Sequence, residues 1–278
     1  MNITENEINS DGEISVLVLG GVHGNELTPI RCLNFFQNSL ENIDNSNIHK
    51  VIIINNINLP GLKSNSRFFE NDNTTDLNRS FDSEASLNKT IEILKSQINS
   101  AHVVIDVHSS PNIDEFVLID IDEYCEAISE WCKEIPRVYR YSSANTIKRY
   151  ALEKGKFATT IELNKLDVID ENSADVGSHM ITNLINNIKD SNINNLKSND
   201  FIIPNELYEQ KTHIEGFLKM KVYVGDYVEK GQIIAEILNM NFEKKLDLKS
   251  NMEGLIISAP TIGYVNRGET LFLIQPKN

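Results

Sequence analysis

Two histidines and three carboxylates in this chain are placed so that they could meet around one metal ion. His23 and Glu26 sit in Gly20-Gly21-Val22-His23-Gly24-Asn25-Glu26, a glycine-rich stretch short enough to aim an imidazole and a carboxylate at one point. Such donors suit Zn²⁺, which takes three protein ligands at a catalytic centre and keeps a fourth position open. A His-x-x-Glu turn alone is as readily a polar loop, so its value rests on a third ligand elsewhere. His108 is the natural third ligand, at the end of the run Ala101-His102-Val103-Val104-Ile105-Asp106-Val107-His108. Asp106 and His108 are two apart and face one side of a strand. That makes Asp106 a candidate to orient an imidazole from behind. Glu162 lies between Ile161 and Leu163. A carboxylate in an apolar strand is costly unless it faces a polar site. A salt bridge would meet that need, and so would a role as general base beside an activated water.

Cationic and amide side chains fall between these groups. Residues 61–82 form a long polar stretch without periodicity, read as a loop. It holds Arg67-Phe68-Phe69 and then Asp76-Leu77-Asn78-Arg79-Ser80-Phe81, a mixture more like the wall of a site than a linker. Residues 144–154 read as a helix and carry Lys148, Arg149 and Lys154.

The elements that must position these residues are legible from apolar patterning. Ile14 to Leu19, Lys50 to Asn55, Ala101 to Ser110 and Phe157 to Asn164 read as buried strands. Phe116 to Ile119 and Arg137 to Tyr141 read as further strands. Helices are expected from Leu27, with Pro29 tolerated in the first turn, and over 84–98, 123–131 and 175–189. Leu59-Pro60-Gly61 is expected to close the second strand. His23 and Glu26 then lie at the carboxyl end of a strand, where open α/β sheets carry their chemistry.

The 278 residues suffice for one large domain or for one domain plus a small one. A formal net charge of −14 argues against nucleic acid or an anionic membrane surface as partner. It leaves an anionic small molecule open, because a local basic pocket can oppose the global sign. No apolar run approaches a membrane span, and Met1 to Gly12 lacks the pattern of a signal peptide. Cys32, Cys125 and Cys132 show no C-x-x-C spacing and read as reduced thiols, so the expected compartment is the cytoplasm.

The chain changes character after Asp190 to Asp200, a linker rich in Asn and Ser. Short apolar stretches with glycine turns follow, read as β structure. Asp226 to Ile237 is echoed by Gly263 to Ile274 at a constant offset of 37 residues. Two such hairpin units resemble the biotinyl/lipoyl carrier fold, a small barrel. Leu238-Asn239-Met240-Asn241-Phe242 lacks the Met-Lys tip that carries a prosthetic group, so a structural role is expected. The reading is therefore a mixed central sheet flanked by helices over 1–195 and a small all-β, barrel-like domain over 196–278, expected to pack over the mouth of the site.

Four motifs in order resemble the succinylglutamate desuccinylase/aspartoacylase family of zinc carboxypeptidase-like hydrolases. They are Gly-Gly-Val-His-Gly-Asn-Glu at 20–26, Asp-Leu-Asn-Arg at 76–79, Asp-Val-His at 106–108 and Ile-Glu-Leu at 161–163. The resemblance implies one Zn²⁺ per chain held by His23, Glu26 and His108, with a water activated by the metal. It implies that Glu162 takes that water's proton and passes it to the leaving amine. It gives Arg67 the polarised carbonyl and Asn78 and Arg79 the substrate's α-carboxylate. Lys148 and Arg149 lie roughly where aspartoacylase has an arginine that reads the side-chain carboxylate. The gap between Arg67 and Asn78 is longer than aspartoacylase leads one to expect. The implied activity is hydrolysis of the amide of an N-acyl amino acid. A metallo-carboxypeptidase acting on a short peptide and a non-catalytic binding module are the alternatives, and a homo-oligomer is left open.

Overall fold

Residues 1–69, 75–81, 89–110, 115–120, 131–132, 135, 137–140, 144–188, 207–223, 225–260 and 263–276 are described in this computed structural model. The described residues divide into two compact units, the first holding those up to 188 and the second those from 207 on.

The first unit is built on a seven-stranded mixed sheet. Its strands are β1 (Asn2–Glu7), β2 (Ile14–Gly20), β3 (Ile48–Asn55), β4 (Val103–Ser110), β5 (Phe116–Asp120), β6 (Arg137–Arg140) and β7 (Phe157–Asn164), in the order β1-β3-β2-β4-β7-β5-β6. The central strands β3, β2, β4 and β7 run parallel, and β1 and β5 join them antiparallel. Parallel strands are covered on both faces, which explains why β2 is buried at all its positions and reads as a continuous apolar run.

Helices α1 (Leu27–Asn38) and α5 (Glu171–Asn186) cover one face. Cys32, Leu33, Phe36, Ile181 and Leu184 pack there on Val18, Ile53, Ile105 and Ile161. Helices α3 (Lys89–Ser100) and α4 (Ile147–Glu153) cover the other, with Ile91, Leu94, Ile147 and Ala151 against Leu17, Leu19, Val104 and Ala158. On β7 this alternation sends Ile161 and Leu163 into the first core while Glu162 stays half-buried on the opposite face. Among the described residues no helix is long and apolar enough to cross a membrane.

Several boundaries depart from the sequence reading. The polar stretch from 61 is not loop throughout, because α2 (Leu59–Ser64) opens it. Asn58 caps that helix, Pro60 fits its first turn, and Asn65 ends it in the left-handed conformation. Six residues are too few to show a helical period. A single 3₁₀ turn, Leu77–Arg79, follows, with Asp76 as its cap. Helix α5 starts at Glu171, behind its Asp170 cap, rather than at 175. The edge strand β1 is absent from the sequence reading, because its half-exposed polar residues carry almost no apolar signal. Residues 82–88 and 121–130 lie outside the described residues, and with them most of the helix expected over 123–131. Its last residue, Trp131, is fully buried against Phe157.

The second unit holds two four-stranded antiparallel sheets. One orders β10 (Tyr227–Val228), β13 (Gly254–Ser258), β15 (Thr270–Pro276) and β8 (Tyr208–Lys211). The other orders β12 (Lys244–Lys249), β11 (Ile233–Leu238), β9 (Gly216–Met220) and β14 (Tyr264–Val265). The 37-residue echo appears as two like crossings from one sheet to the other, not as the expected hairpins: β10 leads into β11 past Gly231, and β14 into β15 past Gly268. Both glycines take φ near +90° (90° and 87°), which side-chain-bearing residues rarely adopt. Val228 and Val265, equivalent in the echo, are both fully buried in one core shared by the two sheets.

Candidate active site

The tight turn after β2 and the end of β4 bring the expected ligands together. His23 and Glu26 lie in the turn leaving β2, and the Glu26 amide bonds back to the His23 carbonyl at 3.3 Å. Gly24 is dictated by close approach: a Cβ there would stand 2.0 Å from the Gly61 carbonyl carbon and 2.2 Å from the Leu62 nitrogen. The turn is thus pressed onto α2. His108 lies near the end of β4, adjacent to β2 in the sheet. One ligand atom from each of His23, Glu26 and His108 falls within 4.8 Å of the others, and all three residues are buried. The Glu26 carboxylate joins the pair, with Oε1 2.6 Å from His23 Nδ1 and Oε2 3.0 Å from His108 Nδ1. The Ser109 amide also donates to Oε2, at 3.0 Å.

The far nitrogen of each imidazole meets a different carboxylate. His108 Nε2 lies 2.8 Å from Asp106 Oδ2, and His23 Nε2 lies 3.2 Å from Asp76 Oδ1. In these direct contacts Nδ1 must donate to the carboxylate; with a cation seated there instead, a proton kept on Nε2 would leave the Nδ1 lone pair for it. This is the tautomer a metal-binding histidine needs, fixed in the way that carboxylates fix it at metal centres. Asp106 stands where the sequence suggested. Asp76 was legible only as part of a motif, and no spacing rule tied it to His23.

The electrostatics favour a cation at this point. Burial alone would raise the Glu26 carboxyl, but His108 and His23 attract and hydrogen-bond it and hold it well below the usual carboxylate range. Burial would likewise raise Asp76, and His23 and Arg67 keep it low. Burial pushes the His108 imidazole down, yet Asp106 and Glu26 carry it well above its ordinary value, because both stabilise positive charge there. Glu26, Asp76 and Asp106 bring three negative charges and Arg67 one positive. With neutral imidazoles the cluster carries two net negative charges, which one divalent cation neutralises. Two imidazole nitrogens and a carboxylate are the donor set of a catalytic zinc site, so the residues present fit such an ion.

Around this cluster stand the remaining candidates. Arg67 holds Asp76 Oδ2 through Nε at 3.0 Å and Nη2 at 2.9 Å, with Nη1 3.8 Å from Glu26 Oε1. Its distance in sequence from Asp76 does not separate the two, because the Phe69 amide bonds the Thr75 carbonyl at 2.8 Å and pinches the chain on either side of 70–74. Asn78 is buried, with Oδ1 accepting from the Ile147 amide at 2.8 Å and Nδ2 3.1 Å from His108 Nε2. The Asn78 amide nitrogen can only donate, and a ring nitrogen whose N–H goes to Asp106 offers it no lone pair, so this approach is a contact rather than a hydrogen bond. Arg79 is exposed and donates from Nη1 to the Asn78 carbonyl at 2.7 Å. Glu162 pairs in register with His108 across β4 and β7, and its Oε2 accepts from Ser110 Oγ at 2.9 Å. Lys148 is buried and Arg149 half-buried on α4, a helix tied to this cluster through Asn78 and Ile147.

Comparisons with known proteins bear on the family and the fold. The family model for the succinylglutamate desuccinylase/aspartoacylase catalytic domain matches residues 13–188, more than half of the chain. No curated protein matches it. Among solved structures, the product-bound ectoine utilization protein EutE (DoeB) from Ruegeria pomeroyi superposes with a TM-score of 0.76 at 18% identity, covering 99% of this chain and 88% of that one. A succinylglutamate desuccinylase/aspartoacylase from Rhodobacter sphaeroides gives 0.77 at 16% identity, with the same coverage of 99% and 88%. An aspartoacylase family protein from Mesorhizobium loti gives 0.72 at 18%, covering 99% and 89%. At these identities the structures speak for the fold, and the family follows from the match over 13–188. The chain belongs to the succinylglutamate desuccinylase/aspartoacylase family.

Proposed function

We propose that the protein is a zinc-dependent amidohydrolase that cleaves the amide bond of an N-acyl amino acid. The observation that carries this reading is the double-backed cluster: two Nδ1 atoms meet one buried carboxylate, and each Nε2 is held by a carboxylate of its own. The family name, with its desuccinylase and aspartoacylase, points to the same class of bond. His23, Glu26 and His108 would hold the ion, one per chain. When bound, such an ion supplies Lewis acidity, polarising a carbonyl and lowering the pKa of a water toward about 7.

The chain's own residues then divide the remaining work. Glu162, beside His108 in register, takes a proton from the attacking water and returns it to the departing amine nitrogen. Arg67 offers a guanidinium to the carbonyl oxygen as negative charge develops there. It can do so without leaving Asp76, since Nε and Nη2 make the close contacts while Nη1 stands 3.8 Å from Glu26 Oε1. Asn78 Nδ2 and Arg79 hold the carboxylate of the amino acid, with Lys148 and Arg149 on α4 as further cationic groups for an acidic substrate. The second unit, read as a barrel-like domain, serves as structure rather than carrier: the turn between β11 and β12 holds Asn239, Met240, Asn241 and Phe242, and no lysine. A cytoplasmic setting goes with this reading, in keeping with Cys32, a buried thiol outside any disulfide.

Metal analysis of purified protein, followed by a screen of N-acyl amino acids and short peptides with chelator controls, tests the proposal. Release of free amino acid from an N-acyl amino acid, abolished by chelation and restored by zinc, is the expected result. Faster cleavage of short peptides would make the protein a metallo-carboxypeptidase instead. Protein that binds no divalent ion would end the proposal.

A further inference from the structure

We propose that Asn58 is a positioning residue for Arg67, beyond its role as a helix cap. This rests on the reading of Arg67 given under Proposed function. Asn58 follows β3, is completely buried, and caps α2. As a cap it needs only its side-chain oxygen, which accepts from the Gly61 amide at 2.9 Å. Serine, threonine or aspartate would do that equally well. The other half of the side chain has no part in capping. Nδ2 donates to the Arg67 carbonyl at 3.3 Å and to the Phe68 carbonyl at 3.1 Å. Both of its hydrogens are thereby used, at the residue whose guanidinium spans Asp76 and approaches Glu26.

The surroundings let this tie join the backbone at Arg67 to the chain beside the ligand turn. The Asn58 amide donates to the Gly21 carbonyl at 2.8 Å, two residues before His23. A Cβ on Gly61 would lie 2.5 Å from both Asn58 Nδ2 and the Phe68 carbonyl, so the three groups are in contact around one point. Gly24 is pressed against Gly61 from the other side. One buried amide therefore fixes where the chain after α2 passes the turn that carries His23 and Glu26. The Arg67 side chain is more than a third exposed, at 39%, and its register depends on where its backbone is held.

Asn58→Ser separates the two functions, because it retains a capping oxygen and deletes the donor. In this variant kcat falls by about 10–10²-fold, the size expected when a group is displaced by roughly 1 Å. KM and metal content stay within about twofold of the parent, because the ligands are untouched. In an Arg67→Ala background the same substitution has no further effect on kcat, since the two residues act through one group. Equal losses in both backgrounds would overturn the inference and leave a purely structural role. A second readout does not depend on turnover. The Arg67 Nε–H resonance, assigned by its loss in Arg67→Ala, is expected to exchange with water at least about tenfold faster in Asn58→Ser; unchanged protection overturns the inference. In the parent protein the Asn58 side-chain amide hydrogens are expected to exchange slowly, and rapid exchange would overturn it without any variant. If the parent hydrolyses no N-acyl amino acid, the functional proposal fails alone, and the two exchange measurements still decide this one.

Discussion

The buried ligand cluster and its half-exposed rim are positioned by different means. His108, Asp106 and Glu162 project from neighbouring parallel strands, so the sheet's register sets their places and the cores on both faces keep them there. Arg67, Asp76, Asn78 and Arg79 come from a stretch with one short helix and a 3₁₀ turn, and side chains hold them. Asp76 alone accepts from Arg67, meets His23 and caps Asn78. The cluster should therefore respond to substitution through its metal and the rim through turnover or substrate affinity. A variant that crosses this line locates the coupling between them.

The largest effect is expected at the ligands. His108→Ala or Glu26→Gln should lower metal content from about one ion per chain to near none and abolish amide hydrolysis with it, because binding depends on the whole donor set. Elemental analysis alongside activity checks this. Full metal occupancy in either variant would dissolve the cluster as a site. Glu162→Gln keeps the shape of the side chain and removes its basicity. It should lower kcat by about 10²–10⁴-fold with metal content unchanged. Loss of zinc there would mean that the wrong glutamate is assigned to the metal.

The backing carboxylates come next, and they test the dividing line directly. Asp106→Asn should weaken metal affinity by about 10–100-fold, measured by competition with a chromogenic chelator, with kcat near the parent value once saturated with zinc. Asp76→Asn should weaken the metal similarly and in addition lower kcat at saturating zinc, because Asp76 also holds Arg67. Identical behaviour of the two variants would remove Asp76 as the bridge between cluster and rim.

The same division governs what could be read from the sequence. Apolar runs at the carboxyl ends of which His23, His108 and Glu162 stand gave away the central strands, since burial on both faces leaves a continuous signal. Glu162 stood out against that signal as a carboxylate between Ile161 and Leu163. Helix α2 was not, because six residues hold less than two turns and its evidence is confined to Asn58, Pro60 and Asn65. Strand β1 was missed because it lies at a polar edge. The pairing of Asp76 with His23 spans 53 residues and no local period encodes it. The long gap between Arg67 and Asn78 is no measure of their separation, because a bond from the Phe69 amide to the Thr75 carbonyl draws its two sides together.

The smallest expected effect, and the sharpest test of the rim, lies at Arg79. Its guanidinium is exposed, and Nη1 is engaged by the Asn78 carbonyl at 2.7 Å. That bond fixes the plane of the fork while Nη2 and Nε remain to face a carboxylate. Arg79→Lys keeps the charge and loses the second donor of a paired contact, so the substitution is not conservative at such a position. KM for an N-acyl amino acid should rise about tenfold, ~1.4 kcal/mol, with kcat and metal content within about twofold. The effect should depend on the substrate's carboxylate: a substrate with that group amidated should bind parent and variant equally. Should the variant discriminate carboxylate from amide as well as the parent does, Arg79 is not the reader. Asn78→Ala cannot replace this test. Its Oδ1 anchors the start of α4 through the Ile147 amide, so its loss would disturb the fold and the pocket together, whereas Arg79 can be changed at the rim alone.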